Sequence, residues 1–320
     1  MIFFNLLQSA IRYSTAFLFG STGETVVEKS GHLNLGIPGI MCIGAVGGCT
    51  GINVYLGGLA EGAAISPFAL VLISILFAML FAGAGGLLYG FMTISLRCNQ
   101  NVTGLAITTF GTGILSYWGK EMGKKGIDFT STSKYFTSVF PASWAEGAKG
   151  VLFSYGILVY LAIIIAIIVA LILKHTRTGL SLNAVGENPA TADAAGINVT
   201  GYKYVACVIG AAIAGIGGLF YVVDYCLGSL EYVVDAMGWL AVALVIFSMW
   251  RPLLGILGSI IFGFLMIVPF VIKAGSAQME LLNMLPYVFT IIVLILVSII
   301  GKKETQPPAS LGVNYFREER

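Results

Sequence analysis

Residues 150–173 form the run GVLFSYGILVYLAIIIAIIVALIL, which holds no charged side chain. A helix that crosses the hydrocarbon core of a bilayer needs roughly 20 mainly apolar residues, and it satisfies its backbone polar groups internally. The run therefore predicts a membrane-spanning helix. The whole chain has the same character, since 58% of its 320 residues are hydrophobic, 10% are charged and the mean hydropathy is +0.93. Because soluble domains carry about 25% charged residues, we expect an integral membrane protein surrounded by lipid.

Eight further segments are apolar enough to cross a bilayer. The first, at residues 1–20, lacks the basic region of a signal peptide, so we expect it to remain as an uncleaved span. Residues 30–60 exceed one crossing and leave room for a broken or re-entrant piece. The predicted fold is an all-α, polytopic transmembrane bundle of about nine spans, within a range of about eight to ten, over residues 1–301, followed by a tail at 302–320. The remaining runs are 62–96, 98–119, 204–223, 236–250, 252–272 and 281–301.

Basic residues predict which loops face the cytoplasm. Lys174 and Arg177 follow one span and Lys203 precedes the next, and basic residues in short loops mark the cytoplasmic side. Residues 174–203 are therefore placed inside the cell, whereas the segment 119–149 falls outside although it carries five lysines. The tail also falls inside, and the N-terminus outside. The same counting of spans puts on the inside Lys29, Arg97, Arg251, Lys302 and Lys303.

The chain carries no recognisable catalytic or metal-binding pattern. It has no G-x-x-x-x-G-K-[ST] loop, no H-E-x-x-H and no G-x-S-x-G, and its five cysteines form no C-x-x-C pair. Its two histidines, His32 and His175, lack partners at metal-ligand spacing, and a net charge of +2 is too small to indicate nucleic acid. We therefore expect no catalytic residue, no metal site and no cofactor bound by this chain. A pore-forming or gating body remains, whose energy comes from elsewhere.

Two octapeptides indicate an internal repeat. AGAGGLLY at residues 82–89 and AGIGGLFY at 214–221 are identical at six of eight positions, and the predicted topology runs their spans in opposite directions. An inverted repeat is a common plan for transporters. A coincidence in a chain rich in glycine and alanine, or a shared packing motif, would give the same pattern, so these interpretations stay open.

A polar insert separates two of the apolar runs. It reads GLSLNAVGENPATADAAGI, residues 179–197. Asn188 before Pro189 is typical of a helix N-cap and first turn, and Gly196 is a natural C-cap, so a short helix is predicted to begin at Pro189 and end by Gly196. Glu187 lies just before the N-terminus of this helix. The helix is either a stiff protrusion that docks on a soluble partner or a plain connection.

The insert also resembles a known element. Together with Thr178 it strongly resembles the coupling segment of bacterial ABC importer permeases of the branched-chain amino acid and simple-sugar superfamily. In that family the segment inserts into a cytoplasmic ATPase subunit and transmits its opening and closing to the membrane helices, while ATP and Mg²⁺ stay on the ATPase. The resemblance implies a coupling role for Gly186, Glu187, Asn188, Pro189, Ala194 and Gly196.

Three further segments resemble the nucleoside permease branch of this superfamily. They are GETVVEKSGHLNLGIPGIMCIGA (23–45), NVTGLAITTFGTG (101–113) and PPASLGVNYFREER (307–320), although Pro38 and Ile40 stand where that branch commonly has Glu and Met. The resemblance implies a nucleoside cargo, a bacterial inner-membrane location, an extracytoplasmic substrate-binding lipoprotein of the basic membrane protein type, and a second, different permease subunit in a heterodimer.

Other functions are kept beside this interpretation. The nearest is the same machinery with a simple sugar or a branched-chain amino acid as cargo. A secondary transporter driven by an ion gradient would need buried coupling acids, for which the sequence offers no clear candidate, and it would leave the coupling-like insert without a role. A non-transporting membrane scaffold would tolerate the loss of Glu187.

Polar residues within the apolar runs are candidates for the translocation pathway. Asn34 lies in the stretch LNLG, which is typical of a kinked or re-entrant element, and irregular backbone is tolerated where it faces protein or a water-filled cavity. Three threonines occur together in one span: Thr103, Thr108 and Thr109. The alternatives are a helix-capping role for Asn34 and hydrogen bonds from the threonines to their own helix.

The charged residues of the first span have simpler interpretations. Arg12 is interpreted as a snorkelling or interfacial arginine whose apolar stem lies in the membrane. Glu24 and Glu28 are expected near the cytoplasmic end of the first helix, paired with Lys29 or with another neighbour rather than with substrate.

Overall fold

The chain is mainly helical in the part that a computed structural model describes, residues 2–60, 63–124, 129–141, 144, 147–229, 235–272, 276–300 and 306–316. No strand occurs in these ranges, so the predicted all-α fold is confirmed. Lys302, Lys303 and parts of the segment 119–149 and of the tail lie outside the described residues. The helices are α1 (Ile2–Glu28), α2 (Ile37–Gly57), α3 (Pro67–Gly90), α4 (Gln100–Lys124), α5 (Thr130–Thr137), α6 (Gly147–Phe153), α7 (Ile157–His175), α8 (Arg177–Glu187), α9 (Pro189–Ala194), α10 (Val199–Phe220), α11 (Asp235–Phe247), α12 (Pro252–Ile272), α13 (Ser276–Asn283) and α14 (Leu285–Ile300).

Every predicted span coincides with one of these helices. Among the described residues, four helical stretches are long and apolar enough to cross a membrane: Ile37–Gly57, Pro67–Ser95, Ile157–His175 and Val199–Tyr225. The other spans are α1 and α4, which are long and more polar, and α11, α12 and α14. These last three hold the shorter apolar stretches Met237–Phe247, Pro252–Val268 and Leu285–Ile295. The chain is therefore a multi-pass membrane bundle, and the number of crossings stays a prediction of about nine.

The long apolar run at 30–60 is interrupted by irregular backbone. The chain leaves α1 after Glu28, makes a turn at residues 29–36 and begins α2 at Ile37. Pro38 lies in the first turn of α2, where its missing N–H would have no helical acceptor. A Cβ on Gly238 of α11 would lie 2.3 Å from the Pro38 Cα, so α11 packs directly on this helix start. The departure from the nucleoside permease pattern at Pro38 is thus compatible with an ordinary helix N-terminus.

Helices α1, α2, α3 and α10 pack together through small residues. A Cβ on Gly44 of α2 would lie 2.3 Å from the Gly215 Cα in α10, and one on Gly23 of α1 would lie 2.2 Å from the Gly210 carbonyl oxygen. Both distances are too short for a real Cβ, so these crossings require glycine. Close backbone approach is a main source of packing energy between membrane helices, because lipid supplies little hydrophobic driving force.

The two octapeptides of the repeat lie on α3 and α10, which run antiparallel and pack on each other. A Cβ on Gly215 would lie 2.2 Å from the Ala82 Cβ near the middle of the pair, whereas Gly90 at the end of α3 faces Tyr204 at the start of α10. The predicted opposite directions are confirmed. Because the small residues form the contact itself, the octapeptides also act as a packing motif.

The ends of α3 and α10 match as well. Each helix is extended by a π-helical turn, Phe91–Ser95 in one and Tyr221–Tyr225 in the other. A residue with positive φ follows two positions after each turn, Arg97 at 56° and Leu227 at 51°. The likeness of the two halves therefore extends beyond the eight residues that the sequence pattern showed.

Basic side chains gather at one end of the bundle, which we call the basic end. One cavity of about 620 Å³ is lined by Lys29, Lys174 and Arg251, and a second of about 450 Å³ is lined by Arg97 and Lys203. Both cavities border the turn between α1 and α2. These are residues that the predicted topology places in the cytoplasm.

The opposite end of α1 carries an ion pair that the sequence did not indicate. The Arg12 Nε lies 2.7 Å from the Asp224 Oδ1, and the Arg12 guanidinium also donates a 2.5 Å hydrogen bond to the Asp224 carbonyl oxygen. Asp224 is 1% exposed, whereas the Arg12 side chain is 38% exposed. The interpretation of Arg12 as a snorkelling or interfacial residue stays a prediction, and the structure adds a role to Arg12. It neutralises a buried carboxylate, and a buried charge without a partner is strongly destabilising.

Candidate functional site

The polar insert folds into two short helices, α8 and α9, at the basic end. Asn188 separates them with extended backbone, at φ −150° and ψ 93°, and its Oδ1 accepts a 3.0 Å hydrogen bond from the Thr191 N–H. Pro189 lies in the first turn of α9, and Gly196 takes a φ of +83° after the helix has ended. The predicted helix start, the N-cap and the C-terminal glycine are all confirmed.

The sequence analysis missed α8, although a local signal exists. The Thr176 Oγ1 accepts a 3.1 Å hydrogen bond from the Gly179 N–H, which is the geometry of an N-cap. Leu182 and Val185, three positions apart, are buried on one face of the helix. A threonine followed by apolar residues at this spacing would have predicted the helix.

Gly186, at the end of α8, is clamped from two sides. A Cβ at this position would lie 2.3 Å from the Lys29 carbonyl oxygen, so α8 rests directly on the turn after α1. The Gly186 carbonyl oxygen accepts two hydrogen bonds from Ser310, one from its N–H at 3.0 Å and one from its hydroxyl at 2.5 Å. Next to these, the Gly312 N–H donates to the Gly31 carbonyl oxygen at 3.1 Å. Gly186 thus joins the insert, the α1–α2 turn and the end of the chain.

Residues 306–316 continue from this point as a strap across the basic end, which we call the C-terminal strap. The Asn314 Nδ2 donates to the Arg97 carbonyl oxygen at 2.9 Å, and the Gln100 Nε2 donates to the Asn314 Oδ1 at 3.0 Å. The Tyr315 hydroxyl donates a 2.9 Å hydrogen bond to the Asp193 Oδ2 on α9. The strap therefore ties α9 to the connection between α3 and α4. The sequence analysis did not predict these contacts.

The coupling candidates divide into exposed and buried residues. Gly186 is buried beneath the strap and Pro189 is half-buried. Behind α9, a small apolar cluster of Val185, Ala192 and Val199 holds the helix against α8 and α10. The candidates that remain at the surface are Glu187, Asn188, Ala194 and Gly196. Gly186 is consequently a positioning residue, and a docking partner would meet the exposed ones.

The α1–α2 turn is held by polar side chains from three helices. Asn34 is 1% exposed, and its Oδ1 accepts a 2.9 Å hydrogen bond from the Gly36 N–H just before α2. The Tyr89 hydroxyl of α3 and the Thr108 hydroxyl of α4 each donate a 2.8 Å hydrogen bond, to the carbonyl oxygens of Leu33 and Leu35 respectively. These residues fix an irregular backbone segment whose polar groups would otherwise be unsatisfied.

The four pathway candidates therefore lie in different environments. Asn34, Thr103 and Thr108 are buried inside the chain. Thr109 is exposed, and its hydroxyl donates to the carbonyl oxygen of Leu105 in its own helix at 3.1 Å. Exposed residues at helical spacing continue this face of α4: Asn101, Leu105, Thr109, Gly113 and Ser116.

The acids at the end of α1 find neighbours other than Lys29. The Asn34 N–H donates a 3.0 Å hydrogen bond to the Glu24 Oε1, and the Trp250 Nε1 donates to the Glu28 Oε2. Trp250 lies in the turn between α11 and α12 with a φ of 56°. Lys29 itself is half-buried; burial lowers its pKa, and the Glu187 carboxylate opposes this shift. The expectation that these acids have neighbouring partners is confirmed. Their hydrogen bonds come from Asn34 and Trp250, and the Lys29 ammonium attracts the Glu28 carboxylate.

The sequence as a whole identifies the class of protein to which this bundle belongs. The family model described as branched-chain amino acid transport system, permease component, matches residues 6–298. The chain therefore belongs to this family. Its members are membrane permease components and not enzymes.

Named relatives narrow the class further. TsgC13 of Haloferax volcanii, named as a glucose ABC transporter permease, is 30% identical over 81% of this chain and 75% of the relative. Nucleoside ABC transporter permease NupC of Lactococcus lactis subsp. cremoris is 28% identical over 98% of this chain and 97% of its own. Guanosine ABC transporter permease NupQ of Bacillus subtilis is 27% identical over the same shares. No solved structure matches. The predicted class, a permease subunit of an ABC importer, is confirmed.

Proposed function

We propose that the chain forms the translocation pathway of a nucleoside ABC importer in a bacterial inner membrane, and that its cytoplasmic ATPase docks on α9. The observation that carries the proposal is the rigid mounting of α9. The helix is capped by Asn188, backed by an apolar cluster and tied down by Tyr315. A plain connection between two spans would need none of these supports, whereas a helix that transmits force would.

This proposal orients the molecule in the membrane. The basic end, with residues 174–203 and the C-terminal strap, lies in the cytoplasm, in agreement with the positive-inside rule. The segment 119–149 and the Arg12–Asp224 pair then lie toward the outside. A substrate-binding lipoprotein delivers the cargo on that side.

Two contact routes would carry the motion of α9 into the spans. The first runs from Gly186 to the Lys29 backbone and so to α1 and α2. The second runs through the strap, where Asn314 binds the backbone after α3 at Arg97. Both routes consist of backbone contacts and short hydrogen bonds, so a displacement of α9 would move the ends of three spans with it.

The pathway is proposed to run along the exposed face of α4. Asn101, Thr109 and Ser116 lie on this face, and polar side chains in a span rarely face lipid. A second, different permease subunit would cover the face and complete the channel. Thr109 then lines the pathway, while Asn34, Thr103 and Thr108 hold the wall behind it.

ATP and Mg²⁺ are assigned to the partner ATPase. This chain lacks a P-loop sequence and would bind no cofactor, metal or nucleic acid. The energy of import would therefore enter only through the surface formed by Glu187, Asn188, Pro189, Ala194 and Gly196.

The nucleoside assignment is supported by two relatives that cover nearly the whole chain, NupC and NupQ. A simple sugar is the second candidate cargo, because TsgC13 is named for glucose. Uptake of radiolabelled guanosine and uptake of radiolabelled glucose, each measured with and without an excess of the other compound unlabelled, separate the two. Guanosine uptake that resists glucose supports the first assignment, and glucose uptake that resists guanosine supports the second.

Co-purification from mild detergent tests the importer proposal. We expect a P-loop ATPase and a second permease to be recovered with the chain, and to be lost with Glu187→Lys or Pro189→Gly. Glu121→Lys is the matched control, because it makes the same charge change in a surface residue of α4 distant in sequence from the insert. A chain that purifies alone, and that transports after reconstitution without ATP, would instead be a secondary transporter.

A further inference from the structure

A polar cavity of about 450 Å³ lies at the basic end, between α9 and the start of α10. The π-helical turn after α3 forms its second wall, and Asn314 and Tyr315 of the C-terminal strap form its third. His32, from the α1–α2 turn, reaches it from within the bundle. The cavity thus touches α9, α10 and the C-terminal strap. Of the pathway and docking residues discussed above, only Gly196 lines it.

Two buried basic side chains line this cavity without a protein partner among the described residues. His32 is 1% exposed, and neither of its ring nitrogens has a hydrogen-bond partner. Lys203 is 3% exposed, and no carboxylate pairs with it in the described part of the chain. A buried polar group that is left unsatisfied costs about 1–3 kcal/mol, and more when it is charged. The two unsatisfied ring nitrogens of His32 therefore point to an occupant of the cavity, and the Lys203 ammonium in the same lining favours an anionic one.

The start of α10 adds main-chain donors to the same space. Asn198 caps this long helix by accepting from the Gly201 N–H at 3.0 Å. The preceding amides of Val199 and Thr200 find no acceptor in the described part of the chain, and both residues line the cavity. A helix N-terminus carries about half a positive charge and favours anions. The donors of the helix and the Lys203 ammonium therefore act together.

The remaining charged groups around the cavity have partners of their own. The Arg97 guanidinium stacks over the Phe316 ring at 4.7 Å, and the Asp193 carboxylate accepts the Tyr315 hydroxyl. Among the described residues, Asp193 is the one acid in the lining, against Arg97 and Lys203. The balance of charge in the cavity is thus positive.

We propose that this cavity binds a phosphate-bearing anion, held by Lys203, His32 and the first amides of α10. Tetrahedral phosphate oxygens suit this set because they accept several hydrogen bonds at once, and helix N-termini commonly bind them. The site goes beyond the import function and does not depend on the nature of the cargo. An anion bound there would bridge α9, the strap and α10, so it would stiffen the mounting of the docking helix.

Inorganic phosphate is the first probe, applied to the complete complex in nanodiscs of phosphatidylcholine and followed by calorimetry. We expect saturable binding that Lys203→Gln weakens at least about ten-fold, which corresponds to the loss of one charge-assisted hydrogen bond. Lys203→Arg, which keeps the charge, should retain binding. Lys174→Gln is the matched control, because Lys174 is an exposed lysine at the same end.

The source of the phosphate is decided by a second arm. Nanodiscs that contain phosphatidylglycerol are examined by native mass spectrometry for lipid retained by the complex. Retention by the wild type and loss with Lys203→Gln would identify a lipid headgroup as the natural ligand, whereas phosphate binding without lipid retention would identify a free anion.

Three results would overturn the proposal. One is the absence of both phosphate binding and lipid retention. Another is equal phosphate binding by Lys203→Gln and Lys174→Gln. The third is a carbodiimide cross-link between Lys203 and an ATPase carboxylate in the assembled complex, since the cavity would then be a socket for a partner side chain.

Discussion

The hydroxyl of Ser310 donates a 2.5 Å hydrogen bond to the backbone carbonyl oxygen of Gly186, across 124 positions of the chain. The backbone N–H of Ser310 donates to the same oxygen at 3.0 Å. Because this oxygen lies at the end of α8, the bond fixes the direction in which α9 leaves the bundle. The end of the chain thereby sets the position of the proposed docking helix.

The close contact beneath Gly186 predicts that Gly186→Ala destabilises the protein. The added Cβ would lie 2.3 Å from the Lys29 carbonyl oxygen, and overpacking of this kind typically costs about 1–3 kcal/mol. The measurement is the thermal midpoint of the purified permease, together with recovery of the ATPase. Gly57→Ala is the control, because no atom lies within 4 Å of its added Cβ. Equal midpoints for the two variants would refute the clamp.

The strap predicts a coupling defect in Tyr315→Phe. This change removes only the hydroxyl that binds Asp193 at 2.9 Å, and one such hydrogen bond contributes about 1 kcal/mol. We expect the complex to assemble. The number of ATP molecules that it hydrolyses for each molecule of cargo transported should be several-fold higher than in the wild type. Transport and ATP hydrolysis are measured together in proteoliposomes. Tyr160→Phe removes a comparable hydroxyl bond, 2.7 Å to the Leu152 carbonyl oxygen, and should leave the ratio unchanged. An unchanged ratio in Tyr315→Phe would argue against the strap.

The ion pair of Arg12 with Asp224 predicts that loss of the Arg12 charge destabilises the protein more than loss of the Lys124 charge. Arg12→Gln leaves a carboxylate that is 1% exposed without its partner, and we expect a loss of about 1–3 kcal/mol, below the full cost for a buried pair because Arg12 is partly exposed. Lys124→Gln breaks the exposed pair with Glu121, where about 0–1 kcal/mol is expected. Thermal unfolding of both variants, and of Arg12→Gln combined with Asp224→Asn, measures the difference. The double variant should recover most of the loss; no recovery would mean that the pair is not the cause.

The proposed pathway predicts that bulk on one face of α4 blocks transport. Thr109→Trp would fill the space between the two permeases, so we expect transport to fall at least about ten-fold while the complex still assembles. Leu76→Trp is the control, because Leu76 is an exposed apolar residue of α3, where a tryptophan would meet lipid. Transport by Thr109→Trp at the wild-type rate would show that the pathway does not run along this face of α4.

The spans and α9 were predictable because their signals are local. A run such as 150–173 carries its hydropathy in consecutive residues, and Asn188 and Gly196 mark the ends of α9 within a few positions. The class of transporter followed from motifs that are also contiguous. In each case the neighbours in sequence are the neighbours in space.

The supports of the site were not predictable because they join distant parts of the chain. Two examples are the bonds of Ser310 to Gly186 and the ion pair of Arg12 with Asp224. In each pair the residues are far apart in sequence, and no repeating pattern in the sequence links them. Asn34 was ambiguous for a related reason, since a polar residue in an apolar run can line a pathway or cap a turn. Its bond to the Gly36 N–H is local, whereas the burial of this turn and the bonds that Tyr89 and Thr108 make to it are tertiary.

Uptake of radiolabelled guanosine by proteoliposomes tests the central claim most directly. The vesicles hold this chain with its co-purified ATPase, second permease and lipoprotein, and ionophores remove every ion gradient. We predict uptake that requires ATP, survives the ionophores and disappears with Glu187→Lys but not with Glu121→Lys. Uptake that is independent of ATP and collapses with the ion gradients would contradict the account, because transport would then not depend on an ATPase bound to α9.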